Sequence, residues 1–313
     1  MTRRVGTVVA GIVTVAVFLV LPHVLTQYFL GLTTKMLIFA LFAMSLDLLL
    51  GYAGLASLGH AAFFGVGAYA VGLLTLRAGL SSALAFPLAL VAAAATGAVF
   101  APLALRGRGS SFLMITFALA QVVWSIAFGW RDLTNGDDGM PGVPRPDFGW
   151  SLDDTTSFYY FAAATVGVAA LLLTAIVRSP FGYALKGIRD SEPRMQALGY
   201  DVWLYQFVAF VLAGTFAGLA GALYAYSNRF VSPDFLFVIQ SAEALIMVIL
   251  GGPGTLLGPA IGAALIVFLE DFVSSLTEHW VMVLGFIYIV VTLFAPRGLI
   301  GLYVDFRQRQ DET

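Results

Sequence analysis

Apolar residues run through the chain in long stretches, separated by short polar or glycine-rich segments. A helix needs about 20 apolar residues to cross a bilayer, and windows such as Val8–Leu21 and Leu84–Leu105 contain no charged residue. The fold class predicted here is all-α, a polytopic integral membrane protein, and an arrangement of eight or nine segments with one re-entrant region stays open. The ten predicted segments are 5–21, 32–50, 60–78, 82–105, 111–128, 158–177, 203–226, 238–257, 258–276 and 280–295.

The basic residues predict which side of the membrane each loop occupies. With the N-terminus in the cytoplasm and the segments alternating, most arginines and lysines fall on the cytoplasmic side, as the positive-inside rule requires. This places both termini inside. The inner set is Arg3, Arg4, Arg106, Arg108, Arg178, Lys186, Arg189, Arg194, Arg297, Arg307 and Arg309, and the outer set is Lys35, Arg77, Arg131, Arg145 and Arg229.

The apolar and basic patterns together predict one transmembrane domain, 1–313, with two long loops and a tail. The loop at 129–157 lies outside and is rich in Gly, Pro and Asp, which predicts irregular, solvated backbone. The loop at 178–202 and the tail at 296–313 lie in the cytoplasm. The first segment is favoured as an uncleaved span over a signal peptide, because no small-x-small cleavage site follows it.

The amino-acid composition argues against several classes of function. Apolar residues make up 60% of the chain and charged residues 11%, against about 45–50% and 25% in soluble proteins. There is no cysteine, the three histidines are far apart in sequence, and the net charge is −2. A cysteine metal site and a nucleic-acid partner are therefore disfavoured. No catalytic set and no Walker-type nucleotide loop occur, so any ATP must be bound by another chain.

Two glycine clusters interrupt the predicted helices. The backbone inside lipid must satisfy its own hydrogen bonds, so a broken helix indicates a cavity or pathway lined by protein. Each cluster follows a small polar and acidic pair, Ser45-x-Asp47 in one case and Ser241-x-Glu243 in the other. A parallel internal repeat is the resulting hypothesis. The helix-break glycines are Gly51, Gly54 and Gly59 in the first cluster, and Gly251, Gly252, Gly254 and Gly258 in the second.

Four side chains in or near these breaks are candidates for contact with a transported solute: Asp47, Ser57, His60 and Glu243. A carboxylate within a membrane helix costs about 2.5–3.5 kcal/mol on an insertion scale, so it normally faces the bundle interior or water. The alternative is structural, since an aspartate or histidine can also bind backbone groups that the glycines leave free. Sequence alone leaves both roles open.

The inner loop at 178–202 predicts a short amphipathic helix on the cytoplasmic face. Ser191 is placed as its cap, Glu192 in its first turn and Gly199 just past its end, following the usual preferences at helix ends. Mixed charges and an apolar face suit docking onto another protein better than binding anionic lipid.

Three stretches together resemble one family. "SLDLLLGYAGLASLGHAAFFGVGAYA" (45–70), "RSPFGYALKGIRDSEPRMQALGYDVWLYQFVAFVLAGTFAGLAGALYA" (178–225) and "GGPGTLLGPAIGAA" (251–264) are similar to the LivM/LivH-type permeases. These are membrane subunits of bacterial ATP-driven importers for branched-chain amino acids. The long outer loop resembles the LivM branch more than the LivH branch.

The resemblance implies a set of partners and a location. These are a second, LivH-like permease, two cytoplasmic ATPase subunits that hold ATP and Mg²⁺, an external substrate-binding protein, and the lipid of the bacterial inner membrane. It also implies that the inner loop couples the chain to the ATPases. The coupling candidates are Arg189, Asp190, Glu192, Arg194, Leu198 and Gly199.

The implied function is uptake of leucine, isoleucine or valine, with no enzymatic activity on this chain. Within the same class, urea, short amides and other amino acids stay open as substrates. A different class is a secondary transporter that works alone and uses Asp47 and Glu243 as ion sites.

Overall fold

The computed structural model describes residues 20–147 and 152–277, together with the single positions 18, 279, 282, 283, 285, 286 and 289. The predicted first and last segments, 5–21 and 280–295, lie largely outside the described residues. The predicted cytoplasmic tail, 296–313, lies wholly outside them.

Helices account for most of the described chain. In chain order they are α1 Gln27–Asp47, α2 His60–Leu76, α3 Ser82–Ala104, α4 Ser110–Gly129, α5 Arg131–Thr134, α6 Thr155–Arg178, α7 Pro180–Asp190, α8 Glu192–Ala197, α9 Val202–Asn228, α10 Val238–Gly251 and α11 Leu257–Ser274. A π-helical turn, Leu48–Ala53, continues α1, and short 3-10 turns lie at Gly136–Asp138 and Pro233–Leu236. Two two-residue strands, β1 Met140–Pro141 and β2 Phe230–Val231, pair antiparallel.

The prediction of an all-α polytopic protein is confirmed. Within the described chain, six helices are long and apolar enough to cross a membrane, and α2 and α10 are shorter apolar helices. These eight apolar helices follow the eight central predicted segments. The largest difference is at α10, which ends at Gly251 rather than near residue 257 because the chain leaves helical geometry at Gly252.

The long helices alternate between two ends of the bundle. One end, called the break end, contains the two glycine clusters and α7 and α8. The opposite end, called the sheet end, contains β1 and β2. An ion pair lies at each end. Arg108 Nη2 is 3.4 Å from Glu192 Oε2 at the break end, and Arg229 Nη2 is 3.0 Å from Asp153 Oδ1 at the sheet end.

Helix α1 lies at the centre of the bundle. Its residues from Ile38 through Asp47 are all buried, on every side of the helix, as expected of a helix that is apolar all round. Helices α3, α4 and α6 lie at the periphery and expose large aliphatic side chains such as Val91, Val122 and Leu171. The interior of the bundle is therefore built by α1, α2 and α9, with α10 and α11 packed beside α1.

Helices α2 and α9 approach each other through small residues. A Cβ added at Gly67 would overlap the carbonyl of Gly218, and a Cβ at Gly221 would overlap the carbonyl of Phe64. Close approach through glycine is a common way for membrane helices to associate, because it allows backbone-to-backbone van der Waals contact. These two helices are therefore locked in register.

The segment 129–157 is more ordered than its composition predicts. It contains α5, a 3-10 turn and β1, and the β1–β2 pairing attaches it to the chain just after α9. Met140, Val143 and Leu152 are buried, because they pack against the sheet end of the bundle. The described part thus contains short regular elements and a few buried side chains where the composition predicts irregular, solvated backbone.

The glycine contact between α2 and α9 predicts a position-specific loss of stability. Gly221→Ala should lower the unfolding midpoint of the purified protein, because overpacking typically costs about 1–3 kcal/mol. Thermal unfolding in detergent measures it. Gly167→Ala is the matched control: Gly167 lies inside α6 with open space around its Cβ position, and alanine there gains about 1 kcal/mol of helix propensity. Equal midpoints for the two variants would contradict the assigned contact.

Candidate translocation and coupling site

The first break begins at the end of α1. The helix widens into the π-helical turn Leu48–Ala53, and the turn ends at Gly54, whose φ is +73°. A residue with a Cβ is strained in this left-handed conformation, so glycine suits the position. The chain then stays non-helical until α2 starts at His60.

The second break lies between α10 and α11. Gly252 and Gly254 have φ values of +106° and +82°, and Leu256 adopts φ +56° without being a glycine. A left-handed leucine is uncommon and strained. Such residues persist only where surrounding contacts hold them, and they cluster at functional sites.

Asp47 connects the two breaks. Its carboxylate accepts hydrogen bonds from the backbone N–H of Gly254, at 2.7 Å, and of Leu256, at 3.0 Å. Asp47 is fully buried. A Cβ at Gly51 would overlap both Asp47 and the backbone of Gly254, so the two breaks can approach this closely only because residue 51 is glycine. The carboxylate thus satisfies backbone donors that the second break leaves free.

The first break receives a matching contribution from α10. Ser241 Oγ accepts a hydrogen bond of 2.8 Å from the backbone N–H of Ala61, in the first turn of α2. Ser57 Oγ accepts one of 3.1 Å from the backbone N–H of Gly59. Each break is therefore capped by a polar side chain of the helix that carries the other break, Asp47 from α1 and Ser241 from α10.

His60 is buried beside this contact and binds Ser45. Its Nε2 lies 2.8 Å from Ser45 Oγ, and its ring stacks on Phe42 with centroids 5.4 Å apart. The Ser45 hydroxyl donates to the Phe42 carbonyl at 2.7 Å, so it is best matched by a donor at Nε2. This assignment leaves a lone pair at Nδ1, which has no hydrogen-bond partner. The histidine is therefore placed as a neutral side chain inside the bundle.

Helix α7 contacts the first break at the break end of the bundle. Arg189 Nη1 donates a hydrogen bond to the carbonyl of Gly51. A Cβ at Gly54 would lie 2.8 Å from Arg189 Cγ, which fills the space beside that glycine. Lys186 Nζ lies 4.9 Å from the ring centroid of Tyr52, a cation–π distance. Two basic side chains of α7 thus hold the π-helical turn.

The other coupling candidates divide into internal contacts and exposed positions. Glu192 accepts a hydrogen bond of 2.9 Å from Gln206 and also lies near Arg108, so it is bound within the chain. Asp190 pairs with Arg189 at 3.3 Å. Leu198 is 67% exposed, and Arg194 and Gly199 are exposed as well.

The predicted inner helix is α8, and a further helix that was not predicted, α7, precedes it. Ser191 occupies the cap position of α8, but its side chain makes no capping hydrogen bond, which corrects the capping expectation. Gly199 follows the end of α8 with φ +86°, and Glu192 lies in the first turn.

Glu243 lies apart from the other pathway candidates. Asp47, Ser57 and His60 lie in or beside the first break, whereas Glu243 interacts electrostatically with Glu270 and Lys35. It follows Ser241 by two residues in α10, so its side chain projects from roughly the opposite side of that helix. Sequence spacing made Glu243 the counterpart of Asp47, but Ser241 is the α10 residue that contacts the first break.

Several side chains of the site were not singled out from sequence. Ser45 and Ser241 were noted only as neighbours of acidic residues, and Tyr52, Lys186 and Gln206 carried no signal of their own. Among the described residues, no group of three or more histidine, aspartate or glutamate side chains could hold a metal ion.

Comparison with known proteins gives the family. A family described as the branched-chain amino acid transport system permease component matches residues 28–293. The chain belongs to this permease family. The prediction of a transport subunit rather than an enzyme, located in the inner membrane, is confirmed by this membership together with the membrane-length helices.

Relatives of this permease support the assignment. The high-affinity branched-chain amino acid transport system permease proteins LivM of Escherichia coli K12 and of Salmonella typhimurium are each 26% identical over 305 residues, covering 90% of this chain and 72% of the relative. A probable branched-chain amino acid transport permease protein LivH of Methanocaldococcus jannaschii is 24% identical over 263 residues, covering 78% of this chain and 81% of the relative. No solved structure matches the permease significantly.

The buried carboxylate predicts a sharp difference between two Asp→Asn substitutions. In Asp47→Asn, one of the two backbone donors loses its acceptor, which costs about 1–3 kcal/mol in a buried site. Asp154→Asn is the control: Asp154 also accepts two backbone hydrogen bonds, at the exposed start of α6, where asparagine caps as well as aspartate. Thermal unfolding should show a clear loss for the first variant alone. Comparable losses in both would contradict the bridging role.

Proposed function

We propose that this permease imports leucine, isoleucine and valine, driven by ATP hydrolysis on separate subunits. Support comes from the family match and from the LivM relatives, whose names state branched-chain amino acid transport. The observation that carries the mechanism is the contact between α7 and the broken helices. It links a cytoplasmic loop to the centre of the bundle through Arg189, Gly51 and Asp47.

The proposed orientation places the break end in the cytoplasm. The helices alternate, and the loops at the break end carry basic residues, as the positive-inside rule requires. The full arrangement is then ten spans with both termini inside, an outer loop at 129–157 and a coupling loop at 178–202 within one domain of 313 residues. The two contacting breaks, each capped by the other's helix, favour a parallel internal repeat.

The proposed partners follow from the family and from the exposed surfaces. Two ATPase subunits that hold ATP and Mg²⁺ dock at α7 and α8, where Arg194, Leu198 and Gly199 are exposed. A second, LivH-like permease completes the transporter, and an external binding protein delivers the substrate to the sheet end. This chain itself holds no cofactor in the proposal.

The proposed motion passes through the π-helical turn. Closure of the ATPases moves α7, and Arg189 and Lys186 carry that movement to Gly51 and Tyr52. Asp47 then transmits it to the second break, because its carboxylate binds Gly254 and Leu256. A pathway near Ser57 and His60 changes its access from one side to the other. Glycine at both breaks lets the backbone change conformation at low steric cost.

Reconstitution tests the proposed function. The permease, its partner permease, two ATPases and the binding protein are placed in proteoliposomes, and uptake of radiolabelled leucine is measured with and without ATP. Uptake that requires ATP and the binding protein supports the proposal. Uptake by this chain alone under an ion gradient would instead establish a secondary transporter. Uptake of urea or short amides, but not of leucine, would show that the substrate belongs to a different class.

The link between α7 and the first break predicts an uncoupled variant. Glutamine is too short to reach Gly51, so Arg189→Gln should reduce leucine uptake about tenfold, the scale of a lost charged hydrogen bond. ATP hydrolysis by the bound ATPases should persist. Uptake and hydrolysis are measured in the same vesicles.

The control is Arg77→Gln, which removes an arginine that donates to Asn135 at the sheet end. Its uptake should stay within about twofold of the unmodified transporter, below the scale of one hydrogen bond. If Arg189→Gln takes up as much leucine per ATP hydrolysed as the unmodified transporter, then α7 does not transmit force through this contact.

A further inference from the structure

Helix α4 turns a row of small and polar residues toward the outside of the bundle. The buried residues of the helix share the opposite side, and they are Phe112, Thr116, Ala120 and Ala127. The outward row, called the α4 seam, has members alternately three and four residues apart, each exposed or half-buried: Ser111, Met114, Ala118, Gln121, Ser125 and Phe128. This is the spacing with which one helix packs lengthwise against another.

Gln121 lies at the centre of the α4 seam and has an unused hydrogen-bond acceptor. It is the twelfth of the 20 residues of α4, so it lies near the middle of a span of bilayer length. Its Oε1 is buried and has no hydrogen-bond partner in the described chain. A polar atom in an apolar medium is costly unless it is hydrogen-bonded. Gln121 therefore requires a donor from elsewhere.

Polar side chains on the other peripheral helices are satisfied within their own helix. Thr96 in α3 donates to the carbonyl four residues earlier at 2.9 Å, and Thr165 and Thr174 in α6 do the same at 2.8 and 2.7 Å. A hydroxyl bonded in this way can face lipid. The Gln121 oxygen cannot be satisfied like this, because helix carbonyls are acceptors too. Lipid alone is thus a suitable neighbour for α3 and α6 but not for α4.

A groove along the α4 seam has the shape of a helix-docking surface. Its volume is about 570 Å³, and α4 alone supplies its lining: Phe117, Ala118, Gln121, Val122, Ser125 and Ile126. A small-molecule site buries most of its ligand in a cleft or cavity, whereas a groove between rows of side chains on one helix receives a ridge of another helix. The small side chains at positions 118 and 125 let a second backbone come close.

The rest of the chain leaves the described bundle away from this groove. The carbonyl of Phe18 accepts a hydrogen bond of 3.2 Å from Tyr159 of α6, and Asp271, near the end of α11, accepts one of 2.6 Å from Tyr28 of α1. The main neighbours of α4 in the described chain are instead α2, α3 and the turn Pro233–Leu236. A helix from another subunit is therefore the better match to the groove.

We propose that the α4 seam packs against a membrane helix of the second permease, and that this helix donates a hydrogen bond to Gln121 Oε1. The inference rests on the proposed function and adds the surface that joins the two permeases. Among the proposed partners, the ATPases and the binding protein lie outside the bilayer, whereas Gln121 lies mid-span. Glutamine side chains bond across helices in membranes, and small residues mark the contact.

The buried side of α4 gives this surface a role in the cycle. Thr116 Oγ1 accepts a hydrogen bond of 3.3 Å from the backbone N–H of Leu58, and a Cβ at Gly59 would overlap the Thr116 carbonyl. Leu58 and Gly59 belong to the first break. The second permease thus lies one helix away from the segment that changes conformation.

Photocrosslinking in the assembled transporter identifies the occupant of the groove. Benzoylphenylalanine replaces Phe117, which lines the groove and is 37% exposed, and the complete transporter is illuminated in proteoliposomes. We expect an adduct with the second permease, identified by mass spectrometry. The control carries the same probe in place of Leu171 on α6, which is 71% exposed, and it should react with lipid instead.

The Gln121 amide predicts opposite effects on the isolated chain and on the pair. Gln121→Leu should weaken association with the second permease about fivefold, the scale of one hydrogen bond between membrane helices. Energy transfer between labelled subunits in bilayers measures it. The thermal unfolding midpoint of the isolated chain should not fall, because the change removes a buried oxygen without a partner. Thr165→Val, a polar-to-apolar change at a half-buried position of α6, should leave association unchanged.

The outcomes separate this surface from the proposed function. If ATP-driven leucine uptake needs no second permease, the proposed function is wrong in that partner and the surface is overturned with it. If uptake needs the second permease, yet the probe at position 117 reacts only with lipid, with its own chain or with a second copy of it, the surface alone is overturned. Unchanged association in Gln121→Leu also overturns the proposed hydrogen bond, and the crosslink decides the surface where that variant does not fold.

Discussion

The whole break end depends on one buried carboxylate and the two backbone donors that it satisfies. Water is excluded there, so every N–H that leaves a helix must find an acceptor within the protein. Asp47 supplies that acceptor for Gly254 and Leu256, across 207 and 209 residues of sequence. Without it, the second break would leave unpaired donors in the bundle interior. The glycines allow the contact, and the carboxylate makes it stable.

This constraint explains why two interrupted helices lie side by side. A single break would need ordered water or a flexible polar side chain of its own, whereas two adjacent breaks can supply each other's acceptors. Ser241 and Asp47 do this in opposite directions. The arrangement also leaves the carbonyl of Gly51 available to Arg189, so the interruption of α1 supplies the group that α7 binds. In the interior of a regular helix each carbonyl is already bonded to the N–H four residues along, so such a carbonyl would be free only in the last turn.

Sequence predicted the helices and the positions of the breaks well, but not the pairing between them. Apolar length is a strong signal in membrane proteins, and the clusters around Gly51 and Gly254 stand out within apolar stretches. The contact from Asp47 to Gly254 depends on which helices are neighbours, and spacing carries no such information. Glu243 illustrates the difference: its position two residues after Ser241 resembles that of Asp47 after Ser45, yet Ser241, and not Glu243, contacts the first break. The order within 129–157 was missed because strand pairing with residues after α9 is a long-range contact.

The glycine contacts between α2 and α9 determine which parts of the permease stay still. Where a carbonyl of one helix packs directly against a glycine of the other, no side chains separate the two backbones. Sliding of one helix along the other is therefore hindered, and the pair acts as a rigid frame. The proposed rearrangement during a transport cycle then takes place around that frame, in the unwound end of α1 and in α10 and α11. It leaves the contacts at Gly67 and Gly221 in place.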